Sequence, residues 1–418
     1  MVFKMGQEMR YKDKQLCRVR TITAFLTLEK DRTTWESAIL NATRFCNRLS
    51  HHFMENGYLV QSIRIVTNPF GDYLNTKNCE GAKSDLEHIT QILNASGPST
   101  LRIRFAIGEA RTKQEILLLP ELIKEYGDLC NACVNIGQDD GGILDNQMIQ
   151  WSAAAVSKIA RLTPQGEGNF NFTVNFNCAP FIPYFPAGYH RNEKGNCFVV
   201  GLETPDLLVS ALQECNETLC LENHNKRFCA YEKVLTAALQ YHVSSVVSII
   251  EGFEKQMDFS FLGIDSSAAP SKECSSMVEV YELMGVEYFG ASGTIEASSL
   301  LTRVFKSITG VELVGFSGLM LAVTEDKGLA RGTQRGDFDI RALLTYSAVC
   351  GIGLDTVPIP GNTSLEKIAA LMRDTGTLAF RLNKPLTVRL FPVPGLTAGE
   401  ITSFESNDLC DCAVLSVP

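Results

Sequence analysis

A chain of 418 residues with 45% hydrophobic and 20% charged residues has the apolar material for one large core or two ordinary ones. Its formal net charge of -9, with no clustered run of Lys and Arg, excludes a nucleic-acid footprint. No apolar stretch reaches the roughly 18 residues that a membrane span needs; Val243–Ile250 is the longest near-candidate, so no membrane partner is expected.

The opening MVFKMGQEMRYKDKQ has charges but no apolar core behind them, so a secretory leader is not expected. Residues 1–15 read as an N-terminal extension and 16–418 as a single domain, since no low-complexity linker interrupts them. Fourteen cysteines lie scattered through apolar runs, which suits reduced thiols in a cytoplasmic protein.

In chain order, strands are expected at Arg18–Leu28, Ser62–Thr67, Leu101–Ile107, Asn131–Ile136 and Asn169–Asn177. Helical patterns separate them at Thr34–Glu55, Ala82–Asn94, Lys113–Tyr126 and Asn146–Arg161. Strands alternating with helices of this length predict a parallel sheet with helices outside. Arg102-Ile103-Arg104-Phe105 alternates charge with apolar residues, which turns one face of its strand toward a polar interior, as a barrel lumen would allow.

The centre holds a Pro-rich aromatic loop, Cys178–His190, then an expected strand Cys197–Leu202 and helix Tyr231–Gln256. Further on, strands are expected at Phe259–Ile264, Leu319–Thr324, Thr377–Leu382 and Leu386–Phe391. Helices are expected at Ser275–Met284, Thr294–Ser307 and Ile340–Val349. Around ten strands are too many for an eight-stranded α/β barrel.

Several constellations could carry chemistry. Cys350 ends a helix-like run and is followed by Gly351, Gly353 and Asp355. A thiol beside glycines, with a carboxylate five residues on, suits a nucleophile, because glycines let a substrate approach the backbone; the same thiol also suits a small hydrophobe packed at a helix end. Cys130 and Cys133 form C-x-x-C before a strand rather than a helix, which favours packing over redox chemistry. Asp139 and Asp140 follow that strand in a turn, and Asp145 is placed to cap the next helix. Asp265, Ser266 and Ser267 follow another strand as a polar cluster. Gly315-Phe316-Ser317-Gly318 leads to Glu325-Asp326, which read as general-base candidates or a helix start. His190 follows the aromatic loop. No phosphate-loop, dinucleotide or zincin motif is present.

Together, CRVRTITAFL, CNACVNIG, FLGIDSSAAP, YFGASGTIEASSLL, GFSGLMLAVTED, TYSAVCGIGLDTVPIPGNT and KPLTVRLFPVPG resemble the domain of unknown function 711 family, also called uncharacterised protein family 0210. The resemblance runs from about Arg18 to the end and is best after Phe259. It implies an α/β barrel like that of the pyruvate formate-lyase glycyl-radical enzymes, with ten strands in two antiparallel halves and helices outside. It does not imply radical chemistry, because the end of the chain has no R-V-x-G-[YF] segment; Val388-Arg389-Leu390-Phe391-Pro392 is different. The loop CAPFIPYFPAGYHRNEKGN keeps Phe185, Gly188 and His190 but lacks the acidic element of bacterial relatives.

The expected function is therefore a non-radical lyase, transferase or hydrolase acting on a small polar or anionic metabolite inside the barrel. Cys350 would be its nucleophile or acid/base thiol, with Asp355, Asp265 and Glu325 as polar partners. Arg64 and Arg104, if inward on their strands, would hold an anionic group, assisted by Asn135, Ser267, Ser317 and His190. The cofactor is left open, with neither glycyl radical nor nucleotide expected. One alternative is a divalent-metal enzyme using His190, Asp265 and carboxylates from Asp139, Asp140 or Glu325. Another is a non-catalytic metabolite-binding barrel. A homodimer is expected by base rate.

Overall fold

The computed structural model describes residues 9–95, 101–218, 223–253 and 258–418. Residues 1–8 of the expected extension and residues 254–256 of the expected central helix lie outside the described residues. Residues 9–16 dock on the body of the fold. Tyr11 is buried and its carbonyl accepts a 2.7 Å hydrogen bond from His242 Nε2.

The first half follows the expected rhythm: β1 (Arg18–Leu26), α1 (Trp35–Glu55), β2 (Ser62–Thr67), α2 (Cys79–Ala95), β3 (Arg102–Glu109), α3 (Lys113–Tyr126), β4 (Asn131–Ile136), α4 (Asn146–Leu162) and β5 (Phe172–Phe176). Local chemistry sets the helix starts. Thr112 and Glu115 form a reciprocal capping box at α3, and Asp145 accepts from the Gln147 and Met148 amides at α4.

The second half contains β6 (Cys197–Glu203), α5 (Pro205–Thr218), α6 (His224–Phe253), β7 (Ser260–Asp265), α7 (Met277–Leu283), α8 (Thr294–Lys306), α9 (Lys327–Arg335), α10 (Ile340–Ser347), β8 (Gly353–Pro360), α11 (Leu365–Arg381) and β9 (Leu386–Val393). By length and composition α6 could cross a membrane, but half of its most apolar stretch is buried inside the fold.

Nine strands among the described residues form one sheet in the order β7-β6-β1-β2-β3-β4-β5-β9-β8. Strands β1 to β5 are parallel to one another, and β6 and β9 flank them antiparallel. β7 runs parallel to β6, and β8 parallel to β9. The chain between α8 and α9 touches both outermost strands through single parallel bridges, Ile264 with Leu313 and Ala322 with Asp355.

Two expected strands are corrected. Leu319–Thr324 is irregular: it follows the positive-φ turn at Gly315 and Ser317, makes a single bridge at Ala322, and ends where the Glu325 amide turns back to the Ala322 carbonyl. Thr377–Leu382 is mostly the end of α11. The buried positions Ile368, Leu371, Met372, Thr375 and Ala379 repeat at helical spacing, a longer-range signal than the local alternation. The strand of this region lies earlier, at β8. It is terminal in the sheet order, where its prolines are tolerated.

Strand alternation divides the sheet into two chemically different faces. Ile63 and Ile65, Phe105 and Ile107, Leu354 and Val357, and Val388 and Leu390 belong to the main core shared with the helices. Arg64, Arg104, Asp355 and Arg389 occupy alternate positions of the same strands. The polar face is the inner one.

Candidate active site

The inner face is covered by two irregular segments. The 178–190 loop lies against it, with residues 181–190 all buried. Thr23 Oγ1 and Arg64 Nη1 both donate to the Pro183 carbonyl, at 3.0 and 3.3 Å, and Asn175 Nδ2 donates to Ala187 at 3.1 Å. Tyr184 donates its hydroxyl to the Leu202 carbonyl at 2.9 Å and packs where Gly201 leaves room for its ring. The second cover is the chain around Phe316–Ala322. Between covers and sheet is a small cavity of about 50 Å³, partly open to solvent. Arg20, Arg64, Tyr184, Phe185, Glu325, Asp355 and Arg389 are on its wall.

Arg389, Glu325 and Asp355 form its charged centre. The Arg389 guanidinium donates from Nε to Asp355 at 2.7 Å and from Nη2 to Glu325 at 2.6 Å. Its ring-facing side lies 5.0 Å from the Phe170 centroid. Burial opposes the Arg389 charge, but Asp355 and Glu325 outweigh it and raise its pKa. Burial raises the Glu325 pKa despite the opposing Arg389 charge, and Asp355 pushes the same way. Glu325 is placed by the bridge at Ala322, by Val323 donating to the Asp355 carbonyl at 3.1 Å, and by its own turn. The neighbouring Asp326 has another task. It caps α9 through the Gly328 and Leu329 amides and accepts from Ser276 Oγ and the Met277 amide. So the helix start that the sequence offered for Glu325-Asp326 falls to Asp326, while Glu325 is on the cavity wall.

Asp265 is fully buried and spends its oxygens on the chain itself. It accepts from Ser267 N and Oγ, Phe316 N and Ser317 N at 2.6–3.0 Å. Burial pushes its carboxyl up to about 6, against those hydrogen bonds. Gly315, at φ +64°, has no Cβ to strike this carboxylate. Ser267 Oγ accepts from the Gly318 amide, and Ser317 Oγ, which donates to Val314, accepts from Ser266. These three expected site residues anchor the second cover.

Cys350 has no place on the cavity wall. It is 0% exposed, belongs to the main apolar core, and sits one turn past α10. Lys384 Nζ caps that helix end, donating to the Ser347, Ala348 and Cys350 carbonyls. Gly351 admits protein rather than substrate: a Cβ there would lie 2.9 Å from the Gly318 Cα. The expected thiol–carboxylate pair is therefore divided, with Asp355 on the cavity and Cys350 behind it.

The other expected residues scatter. His190 is buried, stacked on Phe181 and edge-on to Phe25, and burial lowers its pKa. Its Nδ1 accepts from Asn192, leaving Nε2 to donate to the Leu26 carbonyl at 2.8 Å. Asn135 donates to Glu109 and accepts from Asn175 in a separate polar cluster. Asp139 closes its own turn onto the Gly141 and Ile143 amides. The alternative metal set of His190, Asp265, Asp139, Asp140 and Glu325 is not brought together, and no group of three such side chains is positioned for a metal among the described residues. Cys130 and Cys133 are buried free thiols.

Arg64 and Arg104 do face inward, at 5% and 7% exposure. Arg389, Tyr184 and Phe185 also line the cavity and were not among the expected residues. A signal existed for Arg389: like Arg64, it is the single charged residue of a largely apolar strand.

A family model described as Uncharacterised ACR (DUF711) matches residues 11–406. A UPF0210 protein of Neisseria meningitidis serogroup B is 26% identical over 298 residues, covering 69% of this chain and 64% of that protein. One from Desulforudis audaxviator is 30% identical over 305 residues, covering 71% and 65%. One from Oenococcus oeni is 28% identical over 307 residues, covering 71% and 66%. The chain thus spans slightly less than two thirds of the length of these relatives. Among solved structures, the anaerobic ribonucleotide reductase of Thermotoga maritima, with citrate in its active site, superposes with a TM-score of 0.46 and 10% identity, covering 89% of this chain and 80% of that one.

Proposed function

This chain belongs to the DUF711 family, and we propose that its inner cavity is the active site of an enzyme performing proton-transfer chemistry on a small polar or anionic metabolite. The observation that carries this reading is the Glu325–Arg389–Asp355 cluster on the cavity wall. Glu325 is the proton carrier. Its raised pKa keeps a proton available closer to neutrality than an ordinary glutamate would, as a general acid or base requires. Arg389, held by Asp355, orients the Glu325 carboxylate and stabilises it when the proton has left. Arg64 supplies the cation for an anionic group of the substrate. The reaction class is a lyase, transferase or hydrolase step without a radical, and Cys350 takes no part.

We also read the sheet as a ten-place barrel in two antiparallel halves, closed by the chain from Glu312 to Thr324. What supports this is the parallel bridge that this chain makes to each outer strand.

The test incubates the purified full chain with an extract of polar metabolites and follows their depletion by mass spectrometry. Glu325→Gln is expected to abolish the depletion, and Cys350→Ala to retain it. Turnover that survives Glu325→Gln but is lost in a folded Cys350→Ala protein overturns the reading. If nothing is consumed while a metabolite raises the melting temperature, the non-catalytic binding barrel replaces it.

A further inference from the structure

Arg64 and Arg104 are register partners on the parallel strands β2 and β3. Adjacent strands lie about 4.8 Å apart, so two guanidinium stems rise side by side from one face. Like charges directly opposite destabilise a sheet, and buried charges in folded proteins are ordinarily paired. Arg64 departs from both rules, and Arg104 is paired only through a shared carboxylate. Arg64 forms no ion pair with a carboxylate among the described residues. Its Nη1 reaches only the Pro183 carbonyl at 3.3 Å, its Nε has no partner, and Phe185 lies under it at 5.1 Å. Arg104 has Asp128 at 3.5 Å, but Arg102 holds that carboxylate more closely at 2.6 Å, and the Arg104 Nε is also unpartnered. Burial, then Arg104 and Arg20, press the Arg64 pKa below its ordinary range.

Both side chains line a second cavity, on the outer side of the first. Arg20, Arg64, Arg102, Arg104 and Lys272 contribute five cations to its wall, against the carboxylates of Glu273 and Asp408. Arg20 and Arg64 belong to both cavities, so the two spaces adjoin.

We propose that the outer cavity is an oxyanion subsite for a phosphoryl group of the substrate, held by Arg64 and Arg104, with the rest of the molecule passing Arg64 toward Glu325. This rests on the reading of the inner cavity as the active site. A phosphoryl group fits better than a carboxylate for two reasons. It brings close to two negative charges to a wall with an excess of cations. Its three terminal oxygens can accept from both guanidinium forks at once, where a carboxylate has two.

The test uses the full chain with inorganic phosphate and, separately, acetate at matched ionic strength, read by titration calorimetry and melting temperature. Phosphate is expected to bind one per chain and raise the melting temperature; acetate is expected to do neither at the same concentration. Arg64→Met and Arg104→Met are each expected to weaken phosphate at least tenfold, with an apo melting temperature equal to or above that of the wild type, because a buried like-charge contact is gone. Acetate matching phosphate on the wild-type chain, or phosphate binding unchanged in both variants, overturns the proposal. Phosphate bound normally while Glu325→Gln keeps full turnover removes the active-site reading and leaves the subsite. Absent phosphate binding with Glu325-dependent turnover does the reverse.

Discussion

Gly318 and Gly351 meet with bare backbone between them: a Cβ on Gly351 would lie 2.9 Å from the Gly318 Cα, and a Cβ on Gly318 would lie 3.0 Å from the Gly351 Cα. The Gly351 amide donates to Leu319 at 2.7 Å across the same crossing. This contact brings the second cover of the cavity against the start of β8, and it places Glu325 and Asp355 on one wall.

Gly351→Ala is therefore expected to separate the two segments and destabilise the protein by about 1–3 kcal/mol, as overpacking does. Thermal or urea unfolding measures it. A change within ~0.5 kcal/mol, the range of an ordinary surface substitution, would show that the crossing yields without strain.

Arg389→Met removes the only cation within ion-pair distance of Glu325 and Asp355 among the described residues. Breaking a buried pair from one side costs about 3–5 kcal/mol, because the remaining charge stays buried. Adding Glu325→Gln to the variant is expected to restore part of that stability, with the two changes non-additive in a double-mutant cycle. Additivity would mean that Arg389 and Glu325 are not coupled.

Lys384→Met leaves the Ser347, Ala348 and Cys350 carbonyls without their ammonium cap. A loss of about 1–3 kcal/mol is expected for such buried acceptors. Amide exchange in α10 is expected to quicken more than in α11, which localises the effect.

Asp265 has a pKa of about 6 in the fold, against about 3.9 in an unfolded chain. The folded state holds this proton more tightly, so stability contributed by the protonated form is intact below pH 4 and falls as pH rises through 6. The step is on the order of 3 kcal/mol by pH 7. Glu325 and Asp326, both raised by burial, add in the same direction; His190, lowered by burial, acts oppositely, losing stability as pH falls below about 6.5. Asp265→Asn is expected to lower the melting temperature overall and to flatten its decline between pH 4 and pH 7. A variant with the wild-type pH profile would assign that decline to other groups.

Much of this was legible in the residues themselves. Ser62–Thr67 and Asn131–Ile136 are strands over their full expected lengths, and Lys113–Tyr126 is a helix from its capping threonine onward. Alternation separated Arg64 and Arg104 from the apolar residues beside them, because a pleated strand turns every second side chain to one face; that their face is the covered one was only a condition until the fold was known. Family membership was carried by seven ordered segments. These are properties that neighbouring residues set through covalent geometry and periodicity.

The tertiary structure decided what those properties serve. Cys350 and Asp355 are five residues apart, yet one is sealed in the core and the other lines the cavity. The difference lies with the chain at Gly318, which crosses against Gly351. Asp265 and Glu325 each stand at the end of an apolar run in the sequence, but the first binds four donors of its own chain while the second reaches Arg389. Arg64, Glu325, Asp355 and Arg389 come together from β2, a turn before α9, β8 and β9. No spacing rule spans such distances, because long-range proximity is set by strand order and packing rather than by local period.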